Sequence, residues 1–515
     1  MIKTIKSFAW PMVIALVFVL SSCADGVDEE SFARDVTNSQ VTSPDPSTFS
    51  ITSQTNADGT ESCVVEWKAS SGASSYLCSV NIVDDPTNPV AMSIKGKAQE
   101  GVGPIEIDGC RIIFEKKEDT NYEISVKALG DKTLNNTDAD TATIYPYTTM
   151  LTAVKIPAGQ EISKFINDYI DSHYDEFRPL RDADPANYEL AFELEGGQTY
   201  ELNDSVGFGV FAVTFRGDKV NRPTVIVGEK GRIVTMAGTK IKWINFDCTA
   251  MKAKGLLCTD AVGDDAITTE ALGLKALGGS QDCFVIMRTV LFQECYVKNL
   301  ANGLVHGGDS GASINMKDFR ITDCIIQQCN PEGASNCLIN MWRSSGGQGG
   351  MKDMTFKNST FLNTELGAEN GYLIRFANLS NTTPYKVYGT GETGGMTIES
   401  CTFAQALAKG QLGNQYPQSG MTFTFRKNIF YETRYLQKLI RSNTANFTVD
   451  DNTIWGITFE PDNTDKEKYA TLEDPMFEDP TIKALDFTKD KCGLNFKPTS
   501  AIAGGKQYGD PRWFE

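Results

Sequence analysis

Histidine is nearly missing from the 515 residues: His173 and His306 are the only two. Thirteen cysteines are present, yet no two stand in a Cys-x-x-Cys spacing. A zinc site needs thiolates or imidazoles at short, regular intervals, and the chain offers none. Bases are also scarce, 48 against 66 acids, for a formal net charge of -18. Phosphate binding needs a basic footprint, which argues against nucleic acid as the general partner and leaves room only for a local basic groove. Long hydrophobic runs are lacking after the start. Lys3 and Lys6 precede a mostly apolar stretch over residues 7–22, too short to span a bilayer and of the form of a secretory signal. The roughly 490 residues that follow exceed one ordinary core, so two or three domains are expected.

The signal ends in LSSC at residues 20–23, which resembles a bacterial lipobox and implies that Cys23 becomes a lipidated first residue. The acidic ADGVDEE that follows is similar to the surface-export signal of Bacteroides-type lipoproteins. That resemblance implies a membrane attachment through lipid on Cys23, at the outer membrane and facing the exterior. Residues 23–44 are polar, end near Pro44 and Pro46, and read as a tether.

From 45 to 148 the chain writes short alternating strands, as in SCVVEWKAS, SSYLCSVNIV and NYEISVKALG, broken by turn signals such as ADG and DDPTNP. Spacing and alternation predict a β-sandwich with Trp67 in its core. The stretch resembles a fibronectin type III domain, with Tyr122 as the late-strand tyrosine, which implies a spacer. Residues 149–235 are expected to hold a cap and first rungs. Ile162, Phe165, Ile166, Tyr169 and Ile170 form a helical stripe with Ser163 as its cap, and His173 falls on the surface at its end.

Residues 236–515 repeat. INFDCTAM, LFQECYVKNL, FRITDCIIQQC, MKDMTFKNSTFLNT, MTIESCTFAQA, FTFRKNIFYET and FTVDDNTIWGI each alternate apolar and polar residues around a small polar pair. Counting between Cys248, Cys295, Cys324, Ser359, Cys401, Asn428 and Asn452 gives intervals of 47, 29, 35, 42, 27 and 24 residues. Three short strands with tight corners fit the shorter intervals, and corner insertions the longer ones. All-strand repeats of this size predict a β-solenoid, with the small thiols as an interior ladder and Met354, Phe356 and Phe361 as filling. An amphipathic helix ahead of it would cover the open first rung. Lipobox, sandwich, helical lead-in, rungs and the closing DPMFEDP, LNFKPTSAIAGG and YGDPRW together resemble Bacteroides-type surface lipoproteins with a pectate-lyase-like right-handed parallel β-helix. The fold class is thus mostly β: a sandwich, then a parallel β-helix with a helical N-terminal cap.

Aligning GLVHGGD, CLINMWRS, YLIRFANL and KLIRSNT puts His306, Asn340, Arg375 and Arg441 at one repeat position, with Lys409 as a further member. Val305, Ile339, Ile374 and Ile440 alternate with them, so period-two geometry turns the polar set outward. Trp342 shares the face of Asn340, and Arg343 follows it. Rungs stack at about 4.8 Å, near the repeat of a sugar chain, and guanidinium forks suit carboxylates. The alternative is scattered surface cations balanced by acids such as Asp309 and Glu365. The expected partner is an anionic, uronate-containing polysaccharide bound through Asn340, Trp342, Arg343, Arg375 and Arg441, with outer-membrane glycan-uptake proteins as neighbours. A lyase would add Ca²⁺ or Arg to neutralise the carboxylate, and Arg375, Arg441, Lys409 or His306 as base. No carboxylate cluster of Ca²⁺ type is legible. Asp264 and Asp265 lack the companion acid that inverting hydrolysis requires. Glycan binder, lyase, and adhesin or scaffold all remain open on the sequence.

Overall fold

A computed structural model describes residues 39–259, 270, 272–274, 283–307, 313–329, 337–341, 350–365, 372–376, 392–406, 413–414, 422–433, 446–456 and 470–515. The chain divides into two compact units, Met1–Leu151 and Thr152–Glu515.

The first unit is two antiparallel sheets over one core. One sheet joins Ser50–Thr55, Glu61–Glu66, Arg111–Glu115, Ser93–Lys95 and Glu100–Val102; the other joins Thr143–Thr148, Asn121–Gly130, Ala73–Ile82 and Val90–Ala91, with Ile105–Ile107 beside Ala73–Ile82. Alternation drives the packing: Tyr122, Ile124, Val126 and Ala128 are buried while the residues between them are half-buried. Trp67 is core, with its ring edge-on to Tyr76 at 5.4 Å. Tyr122 Oη accepts from the Lys117 N–H at 2.7 Å and donates to the Lys117 carbonyl at 3.3 Å. The expected tether is shorter than the sequence suggested. Val41 is buried in this core and its N–H bonds the Thr137 carbonyl at 3.0 Å, so residues 39–44 run along the sandwich. The Thr137 N–H in turn bonds the Ser39 carbonyl at 3.0 Å, Ser43 Oγ donates to the Thr141 carbonyl at 2.6 Å, and Thr143 Oγ1 donates to the Pro44 carbonyl at 2.6 Å.

In the second unit, α1 (Ile162–Ser172) and α2 (Tyr174–Ala183) precede the main stack of rungs. The cap of α1 is Glu161, not Ser163: its carboxylate accepts from the Lys164 N–H at 2.7 Å and from Ser163 Oγ. A glutamate just ahead of the helix is long enough to reach its third N–H, and it also holds the Asn203 N–H at 2.9 Å. Ile162, Ile166 and Ile170 pack into the same core as Tyr200 and Val206. Asn167 bonds the backbone of Ser205 and Gly207, each at 2.9 Å. The open end of the first rung is thereby covered. His173 joins α1 to α2, stacked on Tyr169 at 4.2 Å and on Phe177 at 5.4 Å, so it is part of an aromatic pile rather than a free surface residue.

Three parallel sheets then stack into a right-handed β-helix. Among the described residues the first has 11 strands, from Val154–Ile156 to Asn446–Asp450; the second has 10, from Thr199–Leu202 to Thr471–Leu472; the third has 7, from Ser205–Gly207 to Gly413–Asn414. Inner positions are filled as expected by Met354, Phe356 and Phe361. Phe361, Phe403 and Phe430 stack ring on ring at 4.9 and 5.1 Å on successive rungs.

The corner between first and second sheets explains the repeated polar pair. Trp243, Glu294, Asp323, Asn358, Ser400, Lys427 and Asp451 all take positive φ, between 50° and 57°. Short polar residues tolerate that conformation best, hence Asp, Asn and Ser there. The next residue turns inward: the Cys295 N–H bonds Cys324 Sγ, Cys324 N–H bonds Ser359 Oγ, and Cys401 N–H bonds Asn428 Oδ1 at 2.9 Å. Asn428 donates in turn to Asn452 Oδ1 at 2.9 Å. The ladder is real, with one correction. Its first member is Ile244, which follows Trp243, and not Cys248; register pairs Asn245 with Tyr296, leaving Cys248 at the far end of its strand. The similar look of Asp-Cys there misaligned the repeat by four residues. Cys63, Cys78, Cys248, Cys295, Cys324, Cys329, Cys401 and Cys492 are free thiols.

The C-terminal segment closes over the outside of the second sheet. Phe477, Leu485, Cys492, Leu494, Phe496, Ala503, Tyr508 and Trp513 form one apolar cluster with outward Ile325, Leu362, Ala404 and Ile429. The closing YGDPRW is the clasp itself. Thr360 Oγ1 donates to Asp510 at 2.8 Å, Trp513 Nε1 donates to Thr360 at 3.0 Å, and Arg512 bonds Asp510 at 2.7 Å. The clasp also reaches the corner at Asp451, which stays exposed and accepts from Tyr508 Oη at 2.6 Å.

Candidate functional site

The third sheet carries the polar column. Gly255–Cys258, Gly303–His306, Cys337–Met341, Tyr372–Phe376 and Gly413–Asn414 lie side by side in parallel. Their register pairs Cys258 with His306, His306 with Asn340, Asn340 with Arg375, and Arg375 with Asn414. The alternating residues Val305, Ile339 and Ile374 are fully buried in the tube. The backbone runs close across the rungs: the Thr259 N–H bonds the His306 carbonyl at 3.1 Å, and the Gly307 N–H bonds that of Asn340 at 2.9 Å.

Two expectations change here. His306 was expected to stand outward in solvent, and it is only 7% exposed. Gly255, one rung back, sits so near that an added Cβ would lie 2.8 Å from His306 Cβ. Second, the position after Arg375 is Asn414, so the column continues in an amide and not in Lys409. Asn340 is half-buried. Trp342, Arg343, Lys409 and Arg441 lie outside the described residues, as do Cys23, Asp264, Asp265 and Asp309; of Arg375 the backbone position is described. Among the described residues no three His, Cys, Asp or Glu side chains are grouped so as to hold a metal ion.

A second charged constellation was missed in the sequence. On the outer face of the first sheet, at its early rungs, the Glu189 carboxylate accepts from Lys240 Nζ at 3.1 Å, Arg288 Nη2 at 2.5 Å and Thr214 Oγ1. Arg288 Nη1 also bonds the Tyr188 carbonyl at 2.6 Å. Glu189 and Arg288 are 99 residues apart, so no local motif signals the pair.

Comparison with known proteins adds families without functions. Residues 6–197 match the family DUF4992, a domain of unknown function, and residues 198–364 match the domain of unknown function DUF4957. Their boundary falls inside the first rung, so the first family runs through the sandwich, both helices and the strand Leu190–Leu194. No curated protein matches. Among solved structures, the catalytic domain of a GH87 alpha-1,3-glucanase variant in complex with nigerose is similar at TM-score 0.26 and 8% identity, over 80% of this chain and 84% of that one. The family 28 exopolygalacturonase of Yersinia enterocolitica is similar at TM-score 0.20 and 10% identity, over 84% of this chain and 90% of that one.

Proposed function

We propose that the protein binds an anionic, uronate-containing polysaccharide along the third sheet of its β-helix. The observation that carries this reading is the register of Asn340, Arg375 and Asn414, polar residues on three consecutive rungs, with the buried His306 on the rung before them. Rungs recur at about 4.8 Å, so a ligand with a similar repeat meets an equivalent group at each step. Arg375 supplies a bidentate fork for a carboxylate, Asn340 and Asn414 bond hydroxyls, and His306 supports the column from below. By sequence position alone, Trp342, Arg343 and Arg441 belong to the same reading as further binding residues. In this reading Cys23 carries the lipid that holds the protein on the outer face of the outer membrane, near glycan-uptake proteins, and the fibronectin type III-like sandwich acts as a spacer.

The test is electrophoresis in gels cast with polygalacturonate, alginate, a host glycosaminoglycan or a neutral glucan, run in parallel with ultraviolet detection of unsaturated products, with and without Ca²⁺. Retardation by acidic polymers alone is the expected outcome, and Arg375→Ala should weaken it about tenfold, the loss of one charge-assisted bidentate contact. Product absorbance would extend the reading to a lyase. Equal retardation by neutral glucan, or none by any polymer from a folded protein, would remove it in favour of a scaffold.

A further inference from the structure

The outer face of the first sheet holds a cavity of about 250 Å³ over the early rungs, lined by Glu189, Lys240, Arg288, Val213, Met287 and small residues. It is a built feature. Gly238 has φ +118°, and a Cβ there would come within 2.9 Å of Arg288 Cβ, so glycine is what lets the Arg288 segment close over the strand Thr239–Lys242. Arg288 is then fixed at both ends of its fork, by the Tyr188 carbonyl and by Glu189. Glu189 is itself only 8% exposed and has each oxygen engaged, Oε1 by Thr214 and Oε2 by the two cations.

Charge is uneven in this pocket. Two cations share one carboxylate, which leaves an excess of one positive charge in a partly desolvated recess. Lys240, with about a third of its side chain exposed, uses one of its three N–H donors on Glu189. The adjoining column repeats the theme: Glu193, Arg216 and Lys242 are in register, and the guanidinium of Arg216, 4% exposed, bonds Glu193 at 2.7 Å. Met287, 36% exposed, gives the lining its one large apolar side chain open to solvent, since Val213 is fully buried in the tube.

We propose that this cavity is a second ligand site, which takes a small monocarboxylate the size of one sugar acid. A carboxylate cancels the single excess charge and meets the ammonium of Lys240, while the carbon skeleton lies against Met287. Inorganic phosphate carries more charge than the pocket offsets. The volume lies below the range of about 300–1,000 Å³ common for drug-sized ligands, and suits one ring rather than a chain. The site stands on a different sheet from the polar column and does not depend on it.

Calorimetric titration of the full chain with monomeric galacturonate or glucuronate, with galactose or glucose, and with inorganic phosphate tests the assignment. The sugar acids should bind one site, weaken with salt, and lose at least tenfold in affinity in Lys240→Ala. Lys240→Arg should restore part of the loss. Thermal unfolding of each variant separates lost folding from lost binding. Equal binding of neutral sugars, binding untouched by Lys240→Ala in a folded protein, or no sugar-acid binding would overturn the proposal. Loss in Arg375→Ala alone would return the ligand to the polar column and overturn it as well.

Discussion

The first and second sheets present the same kind of residue to the tube and opposite kinds to the outside. On the second sheet the outward positions Ile325, Leu362, Ala404 and Ile429 are as buried as the inward ones, because the C-terminal segment lies on them. On the first sheet the outward column runs Lys240, Leu291, Arg320, Thr355, Thr397, Thr424 and Thr448, half-buried or exposed throughout. Beside it run Lys357, Glu399, Arg426 and Asp450. A strand covered on both faces reads as continuously apolar, whereas one covered on a single face alternates. One solenoid thus contains a wall that is structural on both sides and a wall whose outer side is free to carry charge.

The largest effect should come from unseating the clasp. Trp513→Ala removes a buried indole that donates to Thr360 and packs against the Phe496 ring. Large-to-small changes of this kind cost about 3–5 kcal/mol, so chemical denaturation should show a loss in that range. A loss below about 1 kcal/mol, outside what core truncations give, would mean that the second sheet stands without its cover. Asn428→Ala should come next. The side chain is fully buried and bonds the Cys401 N–H, the Ile398 carbonyl and Asn452, so its removal strands buried polar groups, at about 1–3 kcal/mol for each group left unpaired. Cys295→Ser at the equivalent corner should cost far less, because Ser359 already fills that role with its Oγ on the Lys357 carbonyl at 2.7 Å.

A third test uses pH. Burial pushes the Asp510 carboxyl up to about 6, and Arg512 and Thr360 offset only part of that. A carboxyl that holds its proton more tightly folded than unfolded takes one up on folding. Its contribution is full below the unfolded value near 4 and is lost as pH rises through about 6. Between pH 7 and pH 4 the wild type should therefore gain stability over Asp510→Asn, on the order of 2 kcal/mol. A difference that does not change with pH would show that the Arg512 pair keeps Asp510 ionised throughout.

Much of this architecture was legible because it repeats. Alternation around Cys295, Cys324, Ser359 and Cys401 marks strands and a corner together, and an inward ladder needs small polar residues at that point. The same cue misled at Cys248, where a large Trp243 takes the left-handed corner and the ladder begins with Ile244. The polar column could be aligned by its apolar neighbours, since Val305, Ile339 and Ile374 fix the phase of each strand. What alternation cannot tell is how closely the rungs sit, and His306, outward by phase, is only 7% exposed. Nor can it show the pairing of Glu189 with Arg288, or that YGDPRW lies on Thr360, because both are long-range contacts between residues with no periodic signature.

The smallest effects should lie on the open wall. Arg426 is 53% exposed and 3.9 Å from Glu399, which also holds Lys357 at 3.6 Å. Exposed pairs of that geometry contribute about 0–1 kcal/mol and are screened by salt. Arg426→Ala and Thr424→Ala should each leave the unfolding free energy within about 0.5 kcal/mol of wild type, as surface changes usually do. A loss above about 2 kcal/mol, as a core site would show, requires that this face be covered as the second one is. Silence at Thr424 and Arg426, set against collapse at Trp513, would mark the first wall as the side on which this solenoid can change its surface without changing its fold.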